Sequence, residues 1–102
     1  GVTSESVNTA AMDEIEGAGL GEYIRHSIGQ AMGLQGHEAP WLAPGDDTIV
    51  EVGMVFSSEP GVYRPGVDGY RTINSFIVTP DGVEVPSRFL AENPPEKRIL
   101  SL

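Results

Sequence analysis

The sequence predicts an α+β fold in which one long helix packs on a curved antiparallel sheet. Three observations predict it: a helical spacing of apolar residues near the start, a series of short β-rich runs after it, and a clear hairpin signal. With 102 residues the chain is long enough for one domain with its own core. We assign residues 1–87 to this domain and 88–102, which include two adjacent prolines and a basic pair, to a peripheral tail.

The first predicted element is a helix from about Thr3 to Ala18. Its apolar residues recur at helical spacing and form one stripe, made of Val7, Ala10, Ala11, Ile15 and Ala18. Thr3 or Ser4 can cap the start, and a glycine-rich stretch that begins at Gly17 ends the helix.

The middle of the chain alternates between loop signals and short extended runs. Residues 34–45 are expected to form a loop, since Pro40 and Pro44 interrupt them. Residues 48–52 and 54–58 are rich in β-branched and aromatic side chains, and Gly53 separates them. We therefore expect two consecutive strands here.

The clearest local signal is a β-hairpin in the second half. Residues 70–79 are β-rich, the turn sequence Pro80-Asp81-Gly82 follows, and residues 83–85 return the chain. The predicted sheet is antiparallel because short turns join its strands.

Composition excludes some classes of function. A net charge of −9 disfavours nucleic acid as a partner, because phosphates would be repelled. No apolar run is long enough for a membrane span, and the start lacks the features of a secretory signal. The absence of cysteine excludes disulfides and thiolate metal sites and suits a cytoplasmic protein. We expect a cytoplasmic protein with neither a nucleic-acid nor a membrane partner.

Three titratable residues stand out as candidates for chemistry: His26, His37 and Glu59. Each also has an ordinary structural interpretation, because isolated histidines often lie on surfaces and a Glu before Pro-Gly can shape a turn. The chain has neither a helical H-E-x-x-H zinc motif nor a G-x-S-x-G nucleophile elbow. These residues alone leave the function open.

Three segments in sequence, His26–Pro40, Gly53–Tyr63 and Gly69–Asn74, resemble the carboxyl-terminal catalytic segment of the pita-bread metallopeptidases of family M24. That family includes aminopeptidase P, prolidase and methionine aminopeptidase, and creatinase is a relative. The resemblance covers about residues 1–87. It implies that the domain is the carboxyl-terminal half of a pita-bread fold.

The resemblance also implies roles for individual residues. His26 matches a histidine that holds substrate and moves protons, and His37 matches one that contacts substrate near the reacting carbonyl. Glu59 matches a glutamate that is a metal ligand or general base. The resemblance thus implies His26, His37 and Glu59 as catalytic residues, with Arg71 and Tyr63 as substrate-binding residues.

Two ligand positions of the family are changed in this chain. The family holds two divalent ions, such as Mn, Co or Zn, with two Asp, one His and two Glu, and both Asp come from strands that would precede this chain. Gln30 stands where the family has the metal-binding His, and Ile73 where it has the last Glu, so only Glu59 is retained. An amide is a weak ligand beside imidazole, and Ile has no donor. We therefore expect no metal cofactor, and we expect Ile73 to point inward and line an apolar pocket.

Three hypotheses follow from this pattern. The first is a fragment or degenerate family member that is not an active metallopeptidase by itself. The second is a metal-independent C–N hydrolase of the creatinase or ectoine-hydrolase kind. The third is an active proline-specific peptidase, formed when the missing amino-terminal half is present. The expected partners are that half or a second copy of this chain, with a small amino-acid-derived or peptide substrate if the protein is enzymatic.

Overall fold

The computed structural model describes residues 1–98, and its helix and strand order confirms the α+β class. The elements are α1 Ser4–Gly17, β1 Gly29–Ala31, β2 Glu38–Leu42, β3 Val55–Ser58, β4 Gly61–Arg64, β5 Asp68–Arg71, β6 Asn74–Thr79, β7 Gly82–Glu84 and α2 Arg88–Glu92. Short 3₁₀ turns occupy Gly21–Tyr23 and Pro95–Arg98. No helix within residues 1–98 is both long and apolar enough to cross a membrane.

Helix α1 begins and ends where its sequence predicts. The Thr3 hydroxyl accepts a hydrogen bond from the backbone N–H of Ser6 at 3.1 Å, and Ala18 follows the last helical turn as its C-cap. Such a cap satisfies one of the backbone donors left open at a helix start.

The apolar stripe predicted for α1 is only partly correct. Val7 and Ala11 pack against the core, whereas Ala10 and Ala18 are exposed. The most buried positions are polar, Ser4 and Asn8. Both bond the backbone of other segments: the Ser4 hydroxyl donates to the Thr48 carbonyl at 3.2 Å, and Asn8 Oδ1 accepts from the Ile28 N–H at 3.1 Å. Buried polar side chains are stable when they are hydrogen-bonded in this way.

Five strands form one antiparallel sheet in the order β2-β1-β3-β6-β7, and β4 pairs with β5 as a separate two-stranded ribbon. A register shift between Gln30 and Ala31 interrupts the pairing of β1 with β2. Such irregularities bend a sheet locally. Leu42 and Phe56 are fully buried under the sheet, and Phe56 stacks on Phe76 with ring centroids 5.6 Å apart.

The prediction of a loop across residues 34–45 is wrong in its second part. Glu38–Leu42 forms strand β2, which pairs with β1 and includes a cis Ala39–Pro40 peptide bond. Strand β2 lies at the edge of the sheet, where a proline without an N–H can be accommodated.

Two further strand predictions need correction. Residues 48–52 form no strand; only Ile49 makes an isolated bridge, to Thr3. The single strand predicted at 70–79 divides at Thr72, because Asp68–Arg71 pairs with β4 while Asn74–Thr79 pairs with β3. A run of β-rich residues does not reveal that its two ends pair with different sheets.

The remaining predicted strands are confirmed. Strand β3 covers nearly all of the predicted run 54–58, and β6 and β7 form the predicted hairpin. The division between a domain at 1–87 and a tail at 88–102 stays a prediction, and residues 99–102 of that tail lie outside the described residues.

We expect Phe56→Ala to lower the free energy of unfolding by about 3–5 kcal/mol, because it removes a fully buried ring and leaves a cavity. Urea unfolding followed by far-ultraviolet circular dichroism measures the change. The control is Val52→Ala, at a side chain that is 63% exposed, with an expected change within about 0.5 kcal/mol. Equal losses in both variants would contradict this assignment of the core.

Candidate functional site

A cavity of about 210 Å³ brings together residues that are far apart in the sequence. Its lining consists of His26, Ser27, Gly29, Gln30, His37, Trp41, Glu59 and Arg71. Four of the five residues predicted for catalysis or substrate binding are in this group. The fifth, Tyr63, lies outside the lining and contacts His26.

The strand register explains why these side chains meet. Gln30 in β1 lies opposite Trp41 in β2 and opposite Ser57 in β3. Directly opposed residues of antiparallel strands project from the same face of a sheet. Glu59 follows Ser57 by two residues, and its backbone N–H bonds the Ile28 carbonyl, which keeps it beside β1.

Gly29 allows β1 and β3 to approach closely at the cavity. A Cβ atom at this position would lie 1.7 Å from the backbone oxygen of Ser57, a distance that no side chain tolerates. Any other residue at 29 would push the two strands apart, and with them Gln30 and Glu59.

The side chain of Gln30 donates a hydrogen bond to Glu59. Its Nε2 lies 3.0 Å from Glu59 Oε2, and the residue is only 8% exposed. The amide must present its N–H₂ here, because a carboxylate can only accept. Glu59 is therefore neutralised in part by an amide dipole.

The pKa of Glu59 is lowered from its ordinary value. Burial is the largest single influence and raises this pKa, but it is outweighed by hydrogen bonds from Gln30 and Ser57 and by the charges of Arg71 and His37. Glu59 is thus a carboxylate at neutral pH. It is the anionic group of the cavity.

Both ring nitrogens of His26 are engaged by protein atoms. Nδ1 lies 2.8 Å from the Ser27 carbonyl oxygen and Nε2 lies 2.7 Å from the Tyr63 hydroxyl. Because a carbonyl can only accept, Nδ1 carries the proton, and in the neutral ring Nε2 accepts from the Tyr63 O–H. In this arrangement neither nitrogen of His26 is free to bond a ligand. Tyr63 positions His26.

Arg71 offers an uncommitted cation to the cavity. Within residues 1–98, its guanidinium makes no hydrogen bond and no ion pair with another side chain. It nevertheless lies close enough to lower the pKa of Glu59. A guanidinium in this state can bind a carboxylate through two parallel hydrogen bonds.

The prediction that Ile73 points inward is wrong. Its side chain is 47% exposed and does not line the cavity, because the chain leaves β5 at Thr72 and enters β6 at Asn74. An alternating pattern holds only within a continuous strand.

The residues at the family's ligand positions do not fit a pair of divalent ions. Gln30 directs an N–H at Glu59, and Ile73 lies outside the cavity without a donor atom. Across residues 1–98, no cluster of three or more His, Asp or Glu is arranged to hold a metal ion. A catalytic metal normally needs about three protein ligands.

Trp41 is a cavity residue that the sequence analysis missed. It reaches the site because Glu38–Leu42 is a strand paired with β1 and not the loop that the sequence predicts. The alternation of Trp41 with Leu42, which is fully buried, is the signal that could have revealed it.

We expect Glu59 to make stability depend on acidity. A carboxylate whose folded pKa is lowered stabilises the fold above its unfolded pKa of about 4.3, and this contribution is lost as pH falls through the folded pKa. Glu59→Gln should therefore lose less free energy of unfolding between neutral and acid pH than the parent does. Urea unfolding at several pH values measures it. Glu84→Gln, an exposed carboxylate outside the cavity, is the control, and an identical change in both variants would contradict the assignment.

The chain is similar to several dipeptidases. It is 48% identical over 82 residues to the protein named "Probable dipeptidase PepE" of Mycobacterium tuberculosis. The aligned segment covers 80% of this chain and 22% of that protein. It is 44% identical over 82 residues, again 80% of this chain and 22% of the relative, to a Xaa-Pro dipeptidase of Lactobacillus helveticus. The chain therefore spans about a fifth of the length of these relatives.

Solved structures of a dipeptidase and a prolidase are also similar to this chain. A Xaa-Pro dipeptidase from Bacillus anthracis superposes with a TM-score of 0.80 at 45% identity, over 83% of this chain and 24% of that one. A prolidase from Pyrococcus horikoshii superposes with a TM-score of 0.80 at 35% identity over the same shares. These structures confirm the pita-bread fold expected from the resemblance. The sequence profile of metallopeptidase family M24 matches residues 1–80, and the chain belongs to that family.

Proposed function

We propose that this chain is a part of an M24 domain that binds a small amino-acid-derived ligand without the family's two metal ions. By itself it is not an active metallopeptidase. The observation that supports this proposal is the hydrogen bond from Gln30 Nε2 to Glu59 Oε2.

The chemistry of that bond argues against a metal ion at Glu59. The positive end of the Gln30 amide dipole points at the carboxylate, where a cation would otherwise be bound. Turning the amide would present its oxygen, but no cluster of three or more His, Asp or Glu within residues 1–98 is arranged to hold a metal ion. A catalytic transition metal normally needs about three protein ligands, both to stay bound and to lower the pKa of its water to about 7.

We further propose that the rest of an M24 domain packs against this chain. An open apolar face supports this: a cavity of about 480 Å³ lies over β6 and β7, lined mostly by Val2, Val7, Val50, Phe76, Val78, Val83 and Val85. At its edge the buried Oδ1 of Asn74 has no hydrogen-bond partner within the described residues. The relatives are more than four times as long as the matched segment and have chain available to cover such a face.

A metal-independent C–N hydrolase is the second candidate. The cavity places an imidazole, His37, with the carboxylate of Glu59 and the guanidinium of Arg71. In such a reaction His37 would move the proton, since both nitrogens of His26 are engaged, and Glu59 would bind a cationic nitrogen.

We expect the purified chain to retain no stoichiometric Mn, Co or Zn after dialysis, and to leave Xaa-Pro dipeptides intact when these ions are added. Gln30→His with Ile73→Glu should not restore stoichiometric binding, because residue 73 does not line the cavity and both family aspartates are lacking in this chain. Elemental analysis of the protein and a dipeptide hydrolysis assay measure both.

A Xaa-Pro dipeptidase that covers the full family domain serves as the positive control for the ions and the assay. One or more ions bound per parent chain at Glu59, or turnover that depends on them, would contradict the proposal. Loss of the bound metal in Glu59→Gln would locate the ion at the cavity.

A further inference from the structure

We propose that the cavity selects a small zwitterion whose cationic end is an alkylated nitrogen, such as a betaine or an N-methylated amino acid. This inference rests on the proposed function, since it requires Glu59 to be free of metal. It names the ligand from a carboxylate, a guanidinium and an indole, which line the cavity together with the imidazole of His37.

The two charges of the cavity are suited to opposite ends of one molecule. Glu59 and Arg71 both line it, yet their charged atoms are not within ion-pair distance of each other. A ligand with a carboxylate toward Arg71 and a cation toward Glu59 would complete both interactions.

Trp41 determines which kind of cation fits. It lies across Gln30 from Glu59, and two strand spacings, roughly 10 Å, separate the strand of Trp41 from β3, which Glu59 follows. Trp41 and Glu59 both line the cavity, so a ligand bound there can place its cation between the indole and the carboxylate. Alkylated ammonium groups are bound by aromatic faces, because they are weakly hydrated and carry diffuse charge.

The hydrogen bond from Gln30 favours the same class of ligand. One oxygen of Glu59, Oε2, already accepts from Gln30, which leaves fewer lone pairs for the several N–H donors of a primary ammonium. A fully alkylated nitrogen has no N–H and needs only the electrostatic attraction. The site therefore provides charge and an aromatic surface with few acceptors.

The size of the cavity limits the ligand to one amino-acid-sized molecule. A volume of about 210 Å³ has room for about seven water-sized groups, at roughly 30 Å³ each. Trimethylglycine is close to this size. A dipeptide would extend beyond the cavity as this chain forms it.

The test uses the fluorescence of the chain's single tryptophan, which is Trp41 itself. The full 102-residue chain, treated with a chelator, is titrated with trimethylglycine and with 3,3-dimethylbutanoate, which has the same shape and carboxylate but no positive charge. We expect trimethylglycine to bind about tenfold more tightly, the size of a cation–π contribution plus the attraction of Glu59. Equal affinity for the two, or no saturable change with either, would overturn the inference.

Variants assign the two ends of the ligand. Glu59→Gln should remove the preference for trimethylglycine over dimethylbutanoate. Arg71→Gln should lower the affinity for both of these ligands, because each carries a carboxylate. The affinity for choline, which has no carboxylate, should stay the same in Arg71→Gln. Glu84→Gln, outside the cavity, is the matched control for removing a carboxylate. A preference that persists in Glu59→Gln would contradict the inference. Circular dichroism of each variant confirms that the fold is retained.

The outcomes separate this inference from the proposed function. Stoichiometric metal in the untreated chain would contradict the proposed function, whatever the titration gives. A metal-free chain that binds both ligands equally would overturn only the assignment of the ligand. Glycine, which has a primary ammonium, should bind more weakly than trimethylglycine, and tighter binding of glycine would also overturn it.

Discussion

The hydrogen bond between Gln30 and Glu59 is the interaction on which the account of this chain depends. Gln30 is buried in β1, between β2 and β3, so its side chain has little freedom to seek another partner. Glu59 is partly buried and needs a donor or a cation. The amide supplies the donor, and the carboxylate remains ionised without a metal ion.

The rest of the fold holds these two residues in register. Asn8 in α1 bonds the Ile28 N–H directly before β1, and Glu59 bonds the Ile28 carbonyl directly after β3. One residue, Ile28, thus ties the helix and the end of β3 to the start of β1. Gly29 then allows β1 and β3 to approach closely enough for Gln30 to reach Glu59. A small core under the sheet, dominated by Leu42 and Phe56, keeps β2 and β3 in place.

Local patterns made part of this structure predictable. The capped start of α1 and the turn at Pro80-Asp81-Gly82 are short-range signals, and both elements form where they were expected. The grouping of His26, His37, Glu59 and Arg71 was anticipated only through resemblance to a family, because nothing in their spacing alone brings them together. Strand pairing between distant segments creates that grouping.

Long-range pairing also explains what was missed. Residues 38–42 contain a proline, which predicts a loop, yet an edge position lets them pair with β1 and brings Trp41 to the cavity. The chain changes partner at Thr72, which moves Ile73 out of the site that its family position implied. The change of partner at Thr72 has no local sequence signal, because it depends on which strand lies alongside.

The side-chain amide of Gln30 offers the most direct measurement. Its Nε2–H protons are visible in ¹H–¹⁵N correlation spectra, and Mn²⁺ broadens resonances of nearby nuclei. We expect one of these protons to shift as Glu59 is protonated in acid, and to stay sharp when one equivalent of Mn²⁺ is added at neutral pH. Selective broadening of the Gln30 amide at one equivalent of Mn²⁺, or no response to the titration of Glu59, would contradict the account.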